Sequence, residues 1–167
     1  MNTVFAILLY ILSLYDVSYI NNAGQNRSFS QFAGKKILIV NIATASEKTG
    51  QLSQLKQLQQ QFSDSLVVLA FPSNSFGNEP LGNEEILAYC TQQYAINFPL
   101  AAKGNVTGPD KTTLFAWLAD ITMNGTMNAP VRGDFCKFLI DKDGTLIGCF
   151  SPSVEPMDQK IISAITQ

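Results

Sequence analysis

The sequence contains no histidine. This absence excludes Ser-His and Cys-His catalytic relays, and it removes the commonest protein ligand of metal ions. Charged residues are also scarce, at 14% of 167 residues, and the net charge is only −2 with no run of Lys or Arg. Because nucleic-acid-binding surfaces are strongly basic, we do not expect nucleic acid as a partner.

Cysteine is rare as well, and its spacing excludes two further kinds of site. Cys90, Cys136 and Cys149 form no CxxC pair, which argues against a zinc ribbon and a thioredoxin-type dithiol. The odd count argues against a fully paired disulfide framework. Apolar residues, by contrast, make up 46% of the chain. A chain of this length suits one domain and buries roughly 70% of the surface that its unfolded form would expose.

The amino terminus is an apolar segment, residues 1–13, that we separate from a folded domain at residues 14–167. Its run VFAILLYIL has no Lys or Arg before it and no small-residue cleavage motif directly after it. The run is short for a bilayer span. A signal or membrane tether fits this segment, and so does a helix or strand packed on the domain. The compartment therefore stays open between the cytoplasm and the periplasm or secretory route.

The hydrophobic pattern of the first half predicts a hairpin followed by a βαβ unit. Residues 14–35 predict an N-terminal β-hairpin that turns within NNAGQ. KILIVNIA and SLVVLAFP are continuous apolar runs, typical of strands covered on both faces. Between them, residues 49–62 have apolar side chains at helical spacing, with Thr49 or Ser46 as the expected cap. The crossover is expected to be parallel and right-handed.

The second half predicts more helices and a second hairpin. Residues 83–94 and 111–120 read as helices, residues 136–150 as a hairpin that turns at Asp143-Gly144, and Pro156 as the start of a last helix. The side chains expected to point inward are Ile86, Leu87 and Cys90, then Leu114, Trp117 and Leu118, then Met157, Ile161 and Ile165. The sequence therefore predicts a thioredoxin-like α/β fold, a central mixed sheet flanked by helices with an N-terminal β-hairpin.

The stretch NIATASEKTG places Ser46 between the first buried strand and its helix. Free N–H groups and the positive end of the helix dipole face the side chain at such a position. A cysteine there would be partly thiolate near neutral pH. Ser46 offers only a hydroxyl, which is far less acidic and does not attack a peroxide O–O bond as sulfur does.

Four segments in order resemble the glutathione peroxidase family over nearly the whole domain. GKKILIVNIATASEKT resembles the family's strand and Asn-Val-Ala-Ser-x-Cys(or selenocysteine)-Gly-x-Thr. FPSNSFGNEPLGNEEI resembles its Phe-Pro-Cys-Asn-Gln-Phe-Gly loop. AYCTQQYAINFPL resembles its Phe-Cys helix end, and GDFCKFLIDKDG resembles Trp-Asn-Phe-x-Lys-Phe-Leu-Ile-Asp. The resemblance implies thiol-dependent reduction of hydrogen peroxide and organic hydroperoxides, with thioredoxin or glutathione as reductant and no bound cofactor.

The resemblance also implies the site positions, and all four active-site positions are substituted in this chain. The nucleophile falls on Ser46, and the family's Gln, Trp and Asn fall on Ser75, Gly133 and Asp134, while Cys90 takes the place of a resolving cysteine. Loss of the Trp ring at Gly133 requires repacking or leaves an edge open to water. Glu47, in place of the family's glycine, and Asp134 bring negative charge that would raise the pKa of a nearby thiol.

Two hypotheses follow from these substitutions. In the first, peroxidase chemistry is lost or very weak, and the domain persists as a binding or sensing module. In the second, an active thiol peroxidase uses a relocated cysteine, Cys136 or Cys90. Cys136 is two positions after Asp134 on a predicted strand and would share its face. A hydrolytic site with Ser46 as nucleophile and Lys48 as base is a weaker hypothesis, because the two residues are only two positions apart on one loop. We expect Cys149 to serve in packing.

Overall fold

The computed structural model describes residues 12–167. The predicted apolar segment at residues 1–13 therefore lies almost wholly outside the described residues, and its role as a signal or a tether stays a prediction. Within residues 12–167, no helix is both long enough and apolar enough to cross a bilayer.

Two sheets form the framework. β1 (Ser18–Ile20) and β2 (Asn26–Ser28) pair antiparallel as the predicted hairpin. The main sheet comprises β3 (Lys36–Ile42), β4 (Leu66–Pro72), β5 (Lys137–Ile140) and β6 (Leu146–Phe150), in the order β4-β3-β5-β6. β3 runs parallel to β4 and antiparallel to β5, and β5 runs antiparallel to β6. The sheet is thus mixed, and the predicted parallel βαβ unit and second hairpin are confirmed.

The helices flank this sheet, and all except the short α4 match predicted segments, although some of their ends differ. They are α1 (Gln51–Gln61), α2 (Asn83–Tyr94), α3 (Thr113–Ala119), the short α4 (Ile121–Asn124) and α5 (Gln159–Thr166). The predicted cap of α1 is wrong: its N-cap is Gly50 and makes no side-chain hydrogen bond. Successive tight turns, Thr49 N–H to Ser46 O and Gln51 N–H to Lys48 O, delay the start of the helix.

The predicted start of the last helix is also wrong. α5 begins at Gln159 behind an Asp158 N-cap, whose side chain accepts a hydrogen bond from the Lys160 N–H. Asp158 can satisfy a free N–H group at the helix start, which Pro156 has no side-chain acceptor to do. Two predicted inward side chains differ as well, because Leu87 is exposed and Met157 is only half-buried. The other residues expected to point inward are buried.

Hydrophobic clusters cover both faces of the main sheet. Ile37 and Ile39 of β3 face the cluster that includes the first hairpin and α3, while Leu38 and Val40 face the cluster of α1, α2 and α5. Every residue of β3 is buried, which explains its continuous apolar run. Ser46 lies in the connection between the carboxyl end of β3 and the start of α1.

A lysine of the main sheet is buried. Lys137 of β5 is fully buried, and its Nζ donates a 2.6 Å hydrogen bond to the carbonyl of Val154. Burial lowers the pKa of Lys137 to about 8, although the charge of Glu155 opposes the shift. The protonated ammonium is therefore costly in the folded protein.

We expect Lys137→Met to remove a pH-dependent part of the stability. Between the folded pKa of about 8 and the usual lysine pKa of about 10.4, the unfolded chain binds a proton that the folded chain does not. The contribution of Lys137 to the free energy of unfolding therefore rises with pH across that window, by up to about 3 kcal/mol in total. Urea unfolding of the unchanged protein and of Lys137→Met from pH 7 to 10 measures this contribution, because the other titrating groups cancel when the two free energies of unfolding are subtracted. A difference that stays constant with pH would contradict the assignment.

Candidate functional site

Ser46 lies in the turn between β3 and α1, and its hydroxyl belongs to that turn. The residue is 7% exposed, and its Oγ accepts a 3.3 Å hydrogen bond from the Lys48 N–H. Its carbonyl accepts from the N–H of Thr49 at 3.1 Å and also from the Thr49 hydroxyl. The local structure therefore uses Ser46 as a turn-forming residue, a role that short hydroxyl side chains serve well.

Three of the four substituted positions meet at one open cavity. A cavity of about 550 Å³ is lined by Ser46, Gly133 and Asp134. Charged and polar side chains that the sequence did not single out for this cavity, Arg132 and Asn78, complete its rim together with Lys48 and Glu47. The cavity thus carries charges of both signs at the position that the resemblance assigns to peroxide chemistry.

Asp134 is the most buried charged side chain at this cavity, at 6% exposure. Its Oδ2 accepts a 2.6 Å hydrogen bond from Asn78 Nδ2, whereas its Oδ1 has no hydrogen-bond partner. A buried carboxylate oxygen without a partner is costly. Asp134 therefore remains able to accept a further hydrogen bond if a ligand or a small rearrangement brings a donor to Oδ1.

The backbone around Asp134 has an unusual shape, and β3 holds it in place. Gly133 has a φ of +155°, and Phe135 has a φ of +65°, which is rare for a bulky residue. Asn41 holds both neighbours, since its Nδ2 donates to the Gly133 carbonyl at 2.9 Å and its carbonyl accepts from the Phe135 N–H at 2.7 Å. A Cβ at Gly133 would meet Pro152 Cγ at 3.3 Å. Pro152 thus fills space next to the position where the family pattern has a tryptophan.

Ser75 is not brought to the cavity. Its Oγ accepts hydrogen bonds from the Ser73 hydroxyl and the Val106 N–H, each at 3.0 Å. These two donors hold the short side chain within its own loop. The structure therefore does not place the residue at the family's glutamine position next to Ser46.

The cysteines also lie away from this cavity, since none of the three lines it. Cys90 is fully buried in the core on α2, where burial, with a smaller effect from Glu79, raises its pKa to about 11. The predicted face shared by Cys136 and Asp134 is wrong, because the positive φ of Phe135 breaks the strand alternation and β5 begins only at Lys137. Burial raises the pKa of Cys136 as well. Cys149 was expected to pack, but it is exposed.

A buried carboxylate supports the loop that carries Asn78. Glu79 is fully buried, and its side chain accepts hydrogen bonds from Thr44 N–H at 2.7 Å, Thr44 Oγ1 at 2.6 Å and Leu81 N–H at 3.2 Å. The neighbouring carbonyl of Asn78 accepts from the Ala45 N–H at 3.0 Å. These bonds tie the loop after β4 to the end of β3.

Sequence reasoning missed three residues at or beside the cavity. Asn78 and Glu79 are adjacent in the FGNEP part of the loop that carries the resemblance, so their position offered a signal. Arg132 directly precedes Gly133, and nothing in its sequence setting distinguishes it. Within residues 12–167, no group of three or more His, Cys, Asp or Glu side chains could hold a metal ion.

Comparison with known proteins decides the family. The glutathione peroxidase family model matches residues 14–119. The glutathione peroxidase homolog BsaA of Bacillus subtilis is 30% identical over 160 residues, which cover 93% of this chain and 100% of that protein. The chain belongs to the glutathione peroxidase family. The resemblance inferred from four sequence segments is thereby confirmed.

Solved structures agree with the glutathione peroxidase assignment and confirm the thioredoxin-like fold. The crystal structure of Trgpx in its apo form has a TM-score of 0.70 and 31% identity, and the match covers 95% of this chain and 98% of that one. A thiol:disulfide interchange protein of the thioredoxin family from Chlorobium tepidum has a TM-score of 0.62 at 15% identity, covering 93% and 97% of the two chains. The second likeness concerns the fold alone.

Proposed function

We propose that this glutathione peroxidase family member has lost efficient peroxidase chemistry and that its cavity serves a binding or sensing role. The observation that carries the proposal is the identity of Ser46 at the cavity, where its hydroxyl is bonded within a turn. A peroxidatic group must attack an O–O bond and become oxidised, a reaction that thiolates perform and serine hydroxyls do not.

The cysteines support the proposal by their positions and by their protonation. Cys90 and Cys136 are buried, at 0% and 2% exposure, and neither lines the cavity. With a pKa of about 11 for Cys90, roughly one molecule in ten thousand carries its thiolate at pH 7. A relocated peroxidatic cysteine at either position would therefore be poorly ionised and would lie outside the cavity that Ser46 lines.

The remaining side chains of the cavity suit a small polar ligand. Arg132 offers a guanidinium that can donate two parallel hydrogen bonds to an anionic group. Lys48 adds a second cation, while Asp134 and Asn78 offer oxygen acceptors. Binding of such a ligand needs none of the family's redox groups. Thioredoxin or glutathione would be a partner only of an active enzyme, so the proposal assigns neither to this protein.

We expect the purified protein to consume hydrogen peroxide and an organic hydroperoxide no faster than a heat-denatured control. NADPH-coupled assays with thioredoxin and with glutathione as reductant measure the turnover. A peroxidase-active family member run alongside shows that the coupling works. Turnover well above the control that disappears in Cys136→Ser or Cys90→Ser would instead establish a relocated nucleophile.

A further inference from the structure

A second cavity that Arg132 also lines lies at the β5–β6 hairpin. Phe138 of β5 pairs with Cys149 of β6, and Cys136 is two residues before Phe138. Residues two apart on an extended chain share a face. Cys136 and Phe138 both belong to the hydrophobic cluster that includes the first hairpin and α3. Cys136, the residue directly before β5, therefore lies on the same side of the hairpin as Cys149.

Both cysteines line the same cavity. This cavity has a volume of about 240 Å³ and is also lined by Arg132 and Phe150. Cys149 is exposed and lies at the outer side, whereas Cys136 is 2% exposed and lies at the inner end. The Cys136 Sγ accepts a hydrogen bond from the Arg132 N–H at 3.4 Å. A small ion entering from solvent would thus meet both sulfur atoms.

A cation also lies beside the two thiols. Arg132 lines the same cavity as Cys136 and Cys149, so its guanidinium is placed to balance the negative charge that two bound thiolates would bring.

Both cysteines are free thiols in the structure, with no disulfide between them. An ion bound to both sulfur atoms would replace a direct S–S bond with two metal–sulfur bonds, so it would span a larger gap between the side chains than a disulfide does. Since no third metal-ligating side chain joins the pair among residues 12–167, the ion must accept low coordination, and soft thiolate ligands select copper(I) among such ions.

We propose that Cys136 and Cys149 form a two-thiolate binding site for a soft monovalent cation of the copper(I) class. Binding forms two metal–sulfur bonds and releases two protons to water, without any change of oxidation state. The bound unit has a net charge of −1, which the Arg132 guanidinium offsets. This inference does not depend on the loss of peroxidase activity.

The test is an anaerobic titration of the fully reduced protein with copper(I) in competition with bicinchoninate, a coloured copper(I) chelator. We expect one copper(I) per chain to be withdrawn from the chelator. Cys149→Ser, at an exposed position that should not disturb folding, is expected to withdraw none under the same conditions. Cys90→Ser is the matched control and should bind as the unchanged protein does.

Three results would overturn the proposal. One is failure of the unchanged protein to compete with the chelator. Another is equal copper binding by Cys149→Ser. The third is a stoichiometry of one copper per two chains, which would mean that exposed Cys149 residues bridge two copies without Cys136. As a further readout, bound copper(I) should protect both Cys136 and Cys149 from alkylation, measured by peptide mass spectrometry.

Discussion

Ser46→Cys is expected to reach less than about a thousandth of the turnover of a peroxidase-active family member. Loss of a single preorganised hydrogen-bond donor typically lowers kcat by about 10²–10³-fold. The new sulfur would lack donors at all three of the family's supporting positions. The structure thus predicts that a thiol at position 46 is insufficient for catalysis.

The geometry explains why the surroundings cannot support a thiolate. Ser75 does not line the cavity, because its hydroxyl is bonded to Ser73 and Val106. Asp134 places a carboxylate at the cavity where the family has an amide. A like charge near a thiolate raises the pKa of the thiol and disfavours its reactive form.

The matched comparison is Ser46→Cys against the triple variant Ser46→Cys, Ser75→Gln, Asp134→Asn. We expect the triple variant to be faster by about tenfold or more, because Asp134→Asn puts an amide donor at the cavity and Ser75→Gln supplies a longer side chain that does not repeat the hydroxyl contacts of Ser75. Ser46→Ala gives the background rate. Gly133→Trp is left out of this series because a side chain at a φ of +155° is strained and its Cβ would lie 3.3 Å from Pro152 Cγ. Turnover by Ser46→Cys at the level of the active family member would contradict the expectation.

Glu79→Ala is expected to lower the free energy of unfolding by about 3 kcal/mol or more. The carboxylate of Glu79 is fully buried and accepts hydrogen bonds from Thr44 and Leu81. Truncation leaves the buried Thr44 N–H unpaired, which costs about 1–3 kcal/mol, and it removes the acceptor of the partly buried Leu81 N–H and of the Thr44 hydroxyl. It also leaves a cavity, which adds to the loss.

Urea unfolding followed by circular dichroism measures this loss. Glu84→Ala is the matched control, since Glu84 is an exposed glutamate at the start of α2, and it should change stability by no more than about 0.5 kcal/mol. Glu79→Gln separates charge from packing, because its amide fills the space but can accept at only one oxygen. Equal stability of Glu79→Ala and Glu84→Ala would show that the Glu79 network does not hold the loop.

The sheet and its helices could be predicted because their signals are local. The buried runs of β3 and β4 and the helical spacing between them are fixed by the chemistry of contiguous residues. The helix ends were less predictable. A short series of turns from Ser46 to Gly50 displaces the start of α1, and Asp158 takes the capping role near Pro156. Such choices depend on which of several competing hydrogen bonds forms.

Of the positions that the resemblance assigns to the site, Ser46, Gly133 and Asp134 line one cavity, whereas Ser75 does not. Their roles stay a prediction, and sequence reasoning did not give their geometry. The orientation of Ser75 depends on the Val106 N–H, which is distant in sequence, and the direction of Cys136 depends on the positive φ of Phe135. Strand alternation assumes an extended backbone, so it does not predict a left-handed conformation at a bulky residue such as Phe135. The directions of these two side chains therefore depend on the folded structure around them, which the periodicity of the sequence does not predict.

The central claim is that no sulfur atom in this protein acts as a peroxidatic nucleophile. The most direct measurement is peptide mass spectrometry of the reduced protein after a brief exposure to one equivalent of hydroperoxide, with a sulfenic-acid trap present. We predict that Cys90, Cys136 and Cys149 all remain unmodified while a peroxidase-active family member treated in parallel is trapped at its nucleophile. Rapid, near-stoichiometric trapping at any of the three cysteines would contradict the account.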